Sequence, residues 1–195
     1  MSIRHGNLLT GPGPDIDRPP MMLYIATQMD HLMSSLGIEV YQPEVTSRVV
    51  WRRIYLTEDA KSWLANDLKN VGQSETEGPT PAAQVFAELE QFCEGMPLTL
   101  TQDVKPLRPH EQRVWQLKTP DVRLFGWFVC KDAFVVHSAG DANVLHGEDD
   151  VRKRDEDSLY RPYIDEVVRY RASLDSKLAG ITGLRISDVL SNRVR

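Results

Sequence analysis

Cysteine is scarce in this chain of 195 residues. Cys93 and Cys130 are the only two. They stand far apart in no CxxC or Cys/His spacing, which excludes a disulfide framework and leaves a zinc site without its ligand pattern. Both are expected to be reduced and buried. Long apolar runs are missing too. No stretch approaches the roughly 18 to 20 continuous apolar residues that a membrane helix needs, and the first twenty residues lack the apolar centre of a signal peptide. A cytoplasmic protein with no membrane partner is the expectation. Positive charge is in deficit, with 23 Lys and Arg against 28 Asp and Glu and a formal net charge of -5. That balance tells against indiscriminate nucleic-acid binding, because clustered cations supply most non-specific affinity for phosphates.

What is present is the makeup of a globular domain, 41% hydrophobic and 26% charged, with apolar material for one sizeable core. The charge is unevenly spread. Between Lys105 and His137 stand Lys105, Arg108, Arg113, Lys118, Arg123 and Lys131 against Glu111, Asp121 and Asp132, a locally positive window, while acids gather from Glu148 to Asp157. The mixed run DDVRKRDED there reads as a solvated loop.

The first twenty residues are rich in Gly and Pro (GPGPDIDRPP) and read as an extended arm. Leu23, Ile25, Met29, Leu32, Met33 and Leu36 then recur at helical spacing, with Gly37 as a stop. Val49 to Leu56 is β-branched and aromatic and predicts a strand. Thr57 is placed to cap a helix whose first turn carries Glu58 and Asp59, where the helix dipole favours acids, and which reaches about Lys69. Ala82 to Cys93 predicts a second helix with Val85, Phe86, Leu89 and Phe92 on one side. After Gly95, strands are predicted over 98–101, 113–119, 122–129 and 133–138. The last three are joined by tight turns at Thr119-Pro120-Asp121 and Cys130-Lys131-Asp132, giving an antiparallel meander. A terminal helix follows over 160–174, and a short one is expected beyond Ile181. Three stretches result: an arm and helix over 1–45, a main domain over 46–175 and a tail over 176–195.

The segment VKPLRPHEQRVWQLKTPDVRLFGWFVCKDAFVVHSAGDAN, with its Lys-Pro-Leu piece, its strand ending in Leu-Lys and its Arg-hydrophobic strand after a turn, resembles toxins of the RelE superfamily, above all the phage-related HigB branch. The resemblance runs from about Val49 to Tyr170. It implies an α+β fold, an antiparallel sheet of about four strands packed on two helices, here with an extra helix at the N-terminus and one at the C-terminus. It also implies a ribosome-dependent messenger endoribonuclease in which a ribose 2′-hydroxyl attacks the adjacent phosphate. Such toxins need no metal or other cofactor and are restrained by a cognate antitoxin protein. That chemistry calls for a proton acceptor, cations to stabilise charge on the phosphorane-like transition state and a donor for the leaving 5′-oxygen.

By that resemblance Lys118 falls where the family often has a basic residue closing the first meander strand, and Arg123 falls on its phosphate-binding arginine; both are candidate catalytic residues. His137, at the end of the third strand, is a candidate for proton exchange. Lys105, Arg108 and Arg113 are candidate RNA-backbone contacts. Strand alternation puts Gln116 and Lys118 on the face opposite Trp115. Trp115, Phe125, Trp127 and Phe134 are expected mainly in the core. The sequence departs from the pattern at Gly140-Asp141-Ala142-Asn143, where active members of that family commonly carry Lys or Arg; an aspartate would repel a scissile phosphate, leaving His146 or, in the terminal-helix region, Tyr160, Tyr163, Arg169 and Tyr170 as candidate substitutes. Two alternatives follow. One is a degenerate member that acts by binding a protein or the ribosome, and the other a gyrase-directed toxin as in the ParE branch. The N-terminal helix is expected either to shield the site or to serve a homodimer.

Overall fold

The computed structural model describes residues 20–44, 50–74, 77–146, 156–174 and 178–191. The leader ahead of Pro20, Val49, the side chain of His146 and most of the charged run 149–157 lie outside them. Helix α1 (Pro20–Ser35) leads into a two-residue strand β1 (Glu39–Val40), then β2 (Arg53–Leu56), α2 (Glu58–Asn66) with a 3-10 turn at Leu68–Asn70, and α3 (Pro81–Cys93). Strand β3 (Val104–Pro106), a 3-10 turn at His110–Gln112, β4 (Trp115–Lys118), β5 (Val122–Cys130) and β6 (Ala133–Asp141) come next. The chain continues into α4 (Ala142–His146), α5 (Glu156–Ala172) and α6 (Ile186–Val189).

The fold is α+β, as expected, but the sheet is not a four-stranded antiparallel one. It has six strands in the order β1-β2-β6-β5-β4-β3, and β2 pairs with β6 in parallel while every other pair is antiparallel. The two added strands are edges of two and three residues, too short to show an alternation in the sequence. The parallel pair is set by where the meander returns, which no local pattern records. The strand expected over 98–101 is likewise corrected. Those residues form only an isolated bridge, Leu100 to Val104, because Thr101 turns the chain at φ 74, and the ladder begins at Val104. Ahead of β2, Trp51 and Arg52 donate to the Cys93 carbonyl instead of extending the strand back to Val49.

Local chemistry explains the helix starts. The Thr57 hydroxyl accepts from the Ala60 amide and opens α2, and Thr80 does the same for α3, with Pro81 in the first turn where its missing N–H costs nothing. Helix α5 begins earlier than the predicted Tyr160 and runs through Pro162.

Both faces of the sheet are covered. On the α2 and α3 side, Leu89 and Phe92 of α3 pack with Ile54, Trp115, Phe128 and Phe134 of the sheet, with Trp115 set edge-on to Phe128 at 5.4 Å between centroids. On the other side, Met33 of α1 and Ile164 of α5 pack with Ile38 and with Phe125, Trp127 and Val135 of the sheet, and Phe125 stacks on Tyr163 at 4.6 Å. Burying each of these side chains contributes about 1.5–3 kcal/mol. Double coverage is why β5 reads as a nearly unbroken apolar run rather than an alternation.

The stretches outside 46–175 share these cores. Strand β1 bonds to β2, and Leu178, Val189 and Leu190 are buried. The Trp127 indole donates to Leu178 O at 2.9 Å. Buried Arg52 donates to Met96 O at 2.8 Å and Ser191 O at 2.9 Å, fixing the returning tail. Among the described residues no helix is long and apolar enough to cross a membrane.

Candidate nucleic-acid interface

The register of the β3 edge gathers cations. Lys105 stands opposite Gln116 and Lys118 opposite Arg123, so alternation brings these residues to one side of the sheet, the side that α5 covers. Directly opposed like charges are unfavourable, and the structure compensates both. Lys118 Nζ donates to Thr101 O at 2.7 Å. The Arg123 guanidinium donates to Thr119 O and to Val122 O, the latter at 2.9 Å, and bonds to Tyr160. Burial pulls its proton affinity below the ordinary arginine value, and the Tyr160 and Asp121 partners oppose that shift. Arg123 is only 5% exposed.

In front of this pair lies a cleft of about 390 Å³ between the β3 edge and the first half of α5. Lys105, Arg108 and His110 supply cationic or protonatable groups, α5 contributes Tyr160 and Ile164, and Leu100 and Thr101 close another wall. Arg108 and His110 are exposed and Lys105 is half-buried. His110 Nδ1 lies 3.2 Å from Leu107 O, which orients the ring and leaves Nε2 for a ligand. Among the described residues none that lines the cleft is acidic.

The Thr101 wall is built, not loose. Thr101 donates to Val104 O at 2.7 Å, the Asp103 carboxylate accepts from Thr99 N at 2.7 Å, and Lys118 grips the loop twice, through its amide to Asp103 O and its ammonium to Thr101 O. A β-branched residue at φ 74 is strained by about 1–3 kcal/mol, an arrangement that persists only when its surroundings over-determine it.

The six residues proposed from sequence separate into four places. Lys105 and Arg108 line the cleft, and Lys118 and Arg123 stand behind its Thr101 and Tyr160 walls. Arg113 lies apart. At φ 54 it precedes the strand rather than belonging to it, and its carbonyl accepts from Arg171 on the last turn of α5. His137 is also apart, three residues along β6 from Gly140, the partner of Arg123, roughly 10 Å at strand rise. It is 2% exposed, with Nδ1 3.0 Å from the Thr57 hydroxyl, Nε2 3.8 Å from Asp59 and the ring stacked on Tyr170 at 4.2 Å.

Gly140 and Asp141 end β6, and Ala142 and Asn143 open α4. Asp141 accepts from Asn143 N at 2.7 Å and from Gly72 N at 3.4 Å, and buried Ala142 donates to Asp121 O. Gly140 leaves room for Tyr163, whose ring and hydroxyl would lie 2.8–3.0 Å from any added Cβ. The fully buried Asp121 carboxylate accepts from Ser74 and from Gln84 Nε2. Burial raises its proton affinity, but those bonds together with Arg123 outweigh it and hold the group below the usual aspartate value. This is a latch between the β4–β5 turn and α3.

Among the described residues helix α1 contributes nothing to the lining of the cleft. It packs over β1 and β2 at the opposite edge, where Asp30 accepts from the Tyr55 hydroxyl at 2.7 Å and pairs with Arg53 at 3.5 Å. The cysteines are free, Cys93 buried and Cys130 half-buried, and burial pushes the Cys93 thiol up to about 12. Among the described residues no group of three or more His, Cys, Asp and Glu is placed to hold a metal ion.

His110 escaped the sequence reading, although Arg108-Pro109-His110 follows Lys105-Pro106-Leu107 closely enough to have marked it. Comparisons with known protein families, with curated proteins and with solved structures found no match to this chain.

Proposed function

We propose that the protein is an RNA-directed toxin of the RelE/HigB kind, a cytoplasmic endoribonuclease that acts on messenger at the ribosome and is restrained by a cognate antitoxin. The observation that carries this reading is the convergence of Lys105, Arg108 and His110 with Tyr160 in one cleft that no acid among the described residues lines, on the sheet edge that also holds Lys118 and Arg123. In this reading Lys105 and Arg108 bind the phosphate through charge-assisted hydrogen bonds. His110 accepts the 2′-proton as the 2′-oxygen–phosphorus bond forms and, so protonated, gives it to the leaving 5′-oxygen as that bond to phosphorus breaks. Lys118 and Arg123 act from behind, positioning Thr101 and Tyr160. His137 and Arg113 have no part in it.

A second reading, binding to RNA or a protein without cleavage, draws on the burial of Arg123 and on Asp141, which stands where relatives carry a cation. The two separate in one experiment. Wild type and a Lys105→Ala, Arg108→Ala, His110→Ala variant are induced in a bacterial host, with growth followed and messenger 5′ ends mapped. New ends with the wild type alone support the ribonuclease. Growth arrest with intact messenger selects the binding reading, and cleavage undiminished in the triple variant removes the cleft from the mechanism.

A further inference from the structure

We infer that the cleft is a preformed site for one unstacked nucleotide, with its phosphate on Lys105, Arg108 and His110 and its base against the apolar wall of Leu100, Leu107 and Ile164 beside Tyr160. This inference rests on the RNA-directed reading and names the unit that the cleft takes.

Size is the first argument. A volume of about 390 Å³ falls at the small end of ligand sites, which run from about 300 to 1,000 Å³. It suits one nucleotide unit and excludes a helix with its bases stacked. Lining chemistry is the second. Cations with no acid among the described lining residues select an anion, but a bare phosphate would leave the apolar side chains facing water, and beyond its phosphate a phosphorylated sugar would find only the Thr101 and Tyr160 hydroxyls among the described lining side chains. A base presents flat apolar faces that aliphatic and aromatic walls cover, and single-stranded RNA is recognised by splaying bases out of their stack. The wall is also built in advance. Thr101 is held in its left-handed conformation by the two Lys118 bonds, and the Tyr160 hydroxyl is held by Arg123, so neither wall needs to reorganise on binding. This gives Lys118 and Arg123 their place, as positioning residues.

Calorimetric titration of the full chain with adenosine 5′-monophosphate, uridine 5′-monophosphate, adenosine and inorganic phosphate tests it. Both nucleotides are expected to bind at least tenfold more tightly than adenosine or phosphate. Arg108→Ala, at an exposed position, should weaken nucleotide and phosphate alike by about tenfold, the value of one charge-assisted contact. Leu100→Ala should weaken the nucleotides several-fold and leave phosphate unchanged. Phosphate binding as tightly as nucleotide would reduce the cleft to an anion patch, and nucleotide binding that survives both substitutions, or no nucleotide binding, overturns the site. Nucleotide bound with messenger left intact keeps this site and discards the ribonuclease, whereas cleavage without nucleotide binding does the reverse.

Discussion

Thr57 carries two duties with one hydroxyl, and removing it measures whether His137 is a structural strut. The hydroxyl accepts from Ala60 N to open α2 and lies 3.0 Å from His137 Nδ1, with both residues buried. Thr57→Val keeps the shape and loses both bonds. The cap is worth about 1 kcal/mol, and a buried imidazole nitrogen left without its partner costs about 1–3 kcal/mol. The expected loss is therefore about 2–4 kcal/mol, or roughly 4–16 °C in Tm for a chain of this size. Thr57→Ser, which keeps the hydroxyl, should lose less than about 1 kcal/mol. Urea denaturation in a double-mutant cycle with His137→Phe isolates the contact. With no imidazole to strand, Thr57→Val should cost only the cap. Equal losses in both backgrounds, within about 0.5 kcal/mol, would refute the reasoning.

Two further outcomes follow from the same structure. Burial holds the His137 imidazole below the ordinary histidine value, with Arg169 adding to the shift and Asp59 and Glu166 opposing it; the unfolded chain therefore binds this proton more readily than the folded one. The stability contributed by neutral His137 is complete above about pH 6.5 and is lost as pH falls through the depressed folded value, so Tm should drop from pH 7 to pH 5 more steeply in wild type than in His137→Phe, and equal slopes would discard the linkage. At Gly126 an added Cβ would lie 1.7 Å from Val135 O, beside an irregularity in the β5–β6 register; Gly126→Ala should cost at least about 3 kcal/mol, while Gly72→Ala, with nothing within 4 Å, should change stability by less than about 1 kcal/mol, and similar urea midpoints for the two variants would contradict that geometry.

Most elements of the fold are legible in the residues because they rest on local physics. Thr57 and Thr80 can accept from amides two or three residues on, Asp132 tolerates the left-handed turn at φ 64, and β4, β5 and β6 are joined by turns too short for anything but antiparallel neighbours. Strand alternation by itself separates Gln116 and Lys118 from Trp115 and Leu117, and so puts a candidate cation on the face away from the tryptophan.

The site is less legible because it is a tertiary object. Lys105 and Arg108 are separated by dozens of residues from Tyr160 and Ile164, and only the seating of α5 on the sheet makes a cleft of them. Side-chain chemistry marks His137 as a proton carrier. Its exposure depends on Thr57, Asp59 and Tyr170, which arrive from α2 and α5. Arg123 is legible as a cation on the right strand, but not as a buried one held by Tyr160 and two carbonyls.

Caps, turns, strand alternation and the local excess of cations between Lys105 and His137 are set by neighbours along the chain, and the sequence suffices for them. The parallel pairing of β2 with β6, the two short edge strands and the choice of which cations meet a cleft belong to the tertiary structure alone. These depend on which distant faces bury one another, and burial is a property of the packed chain that short sequence windows do not encode.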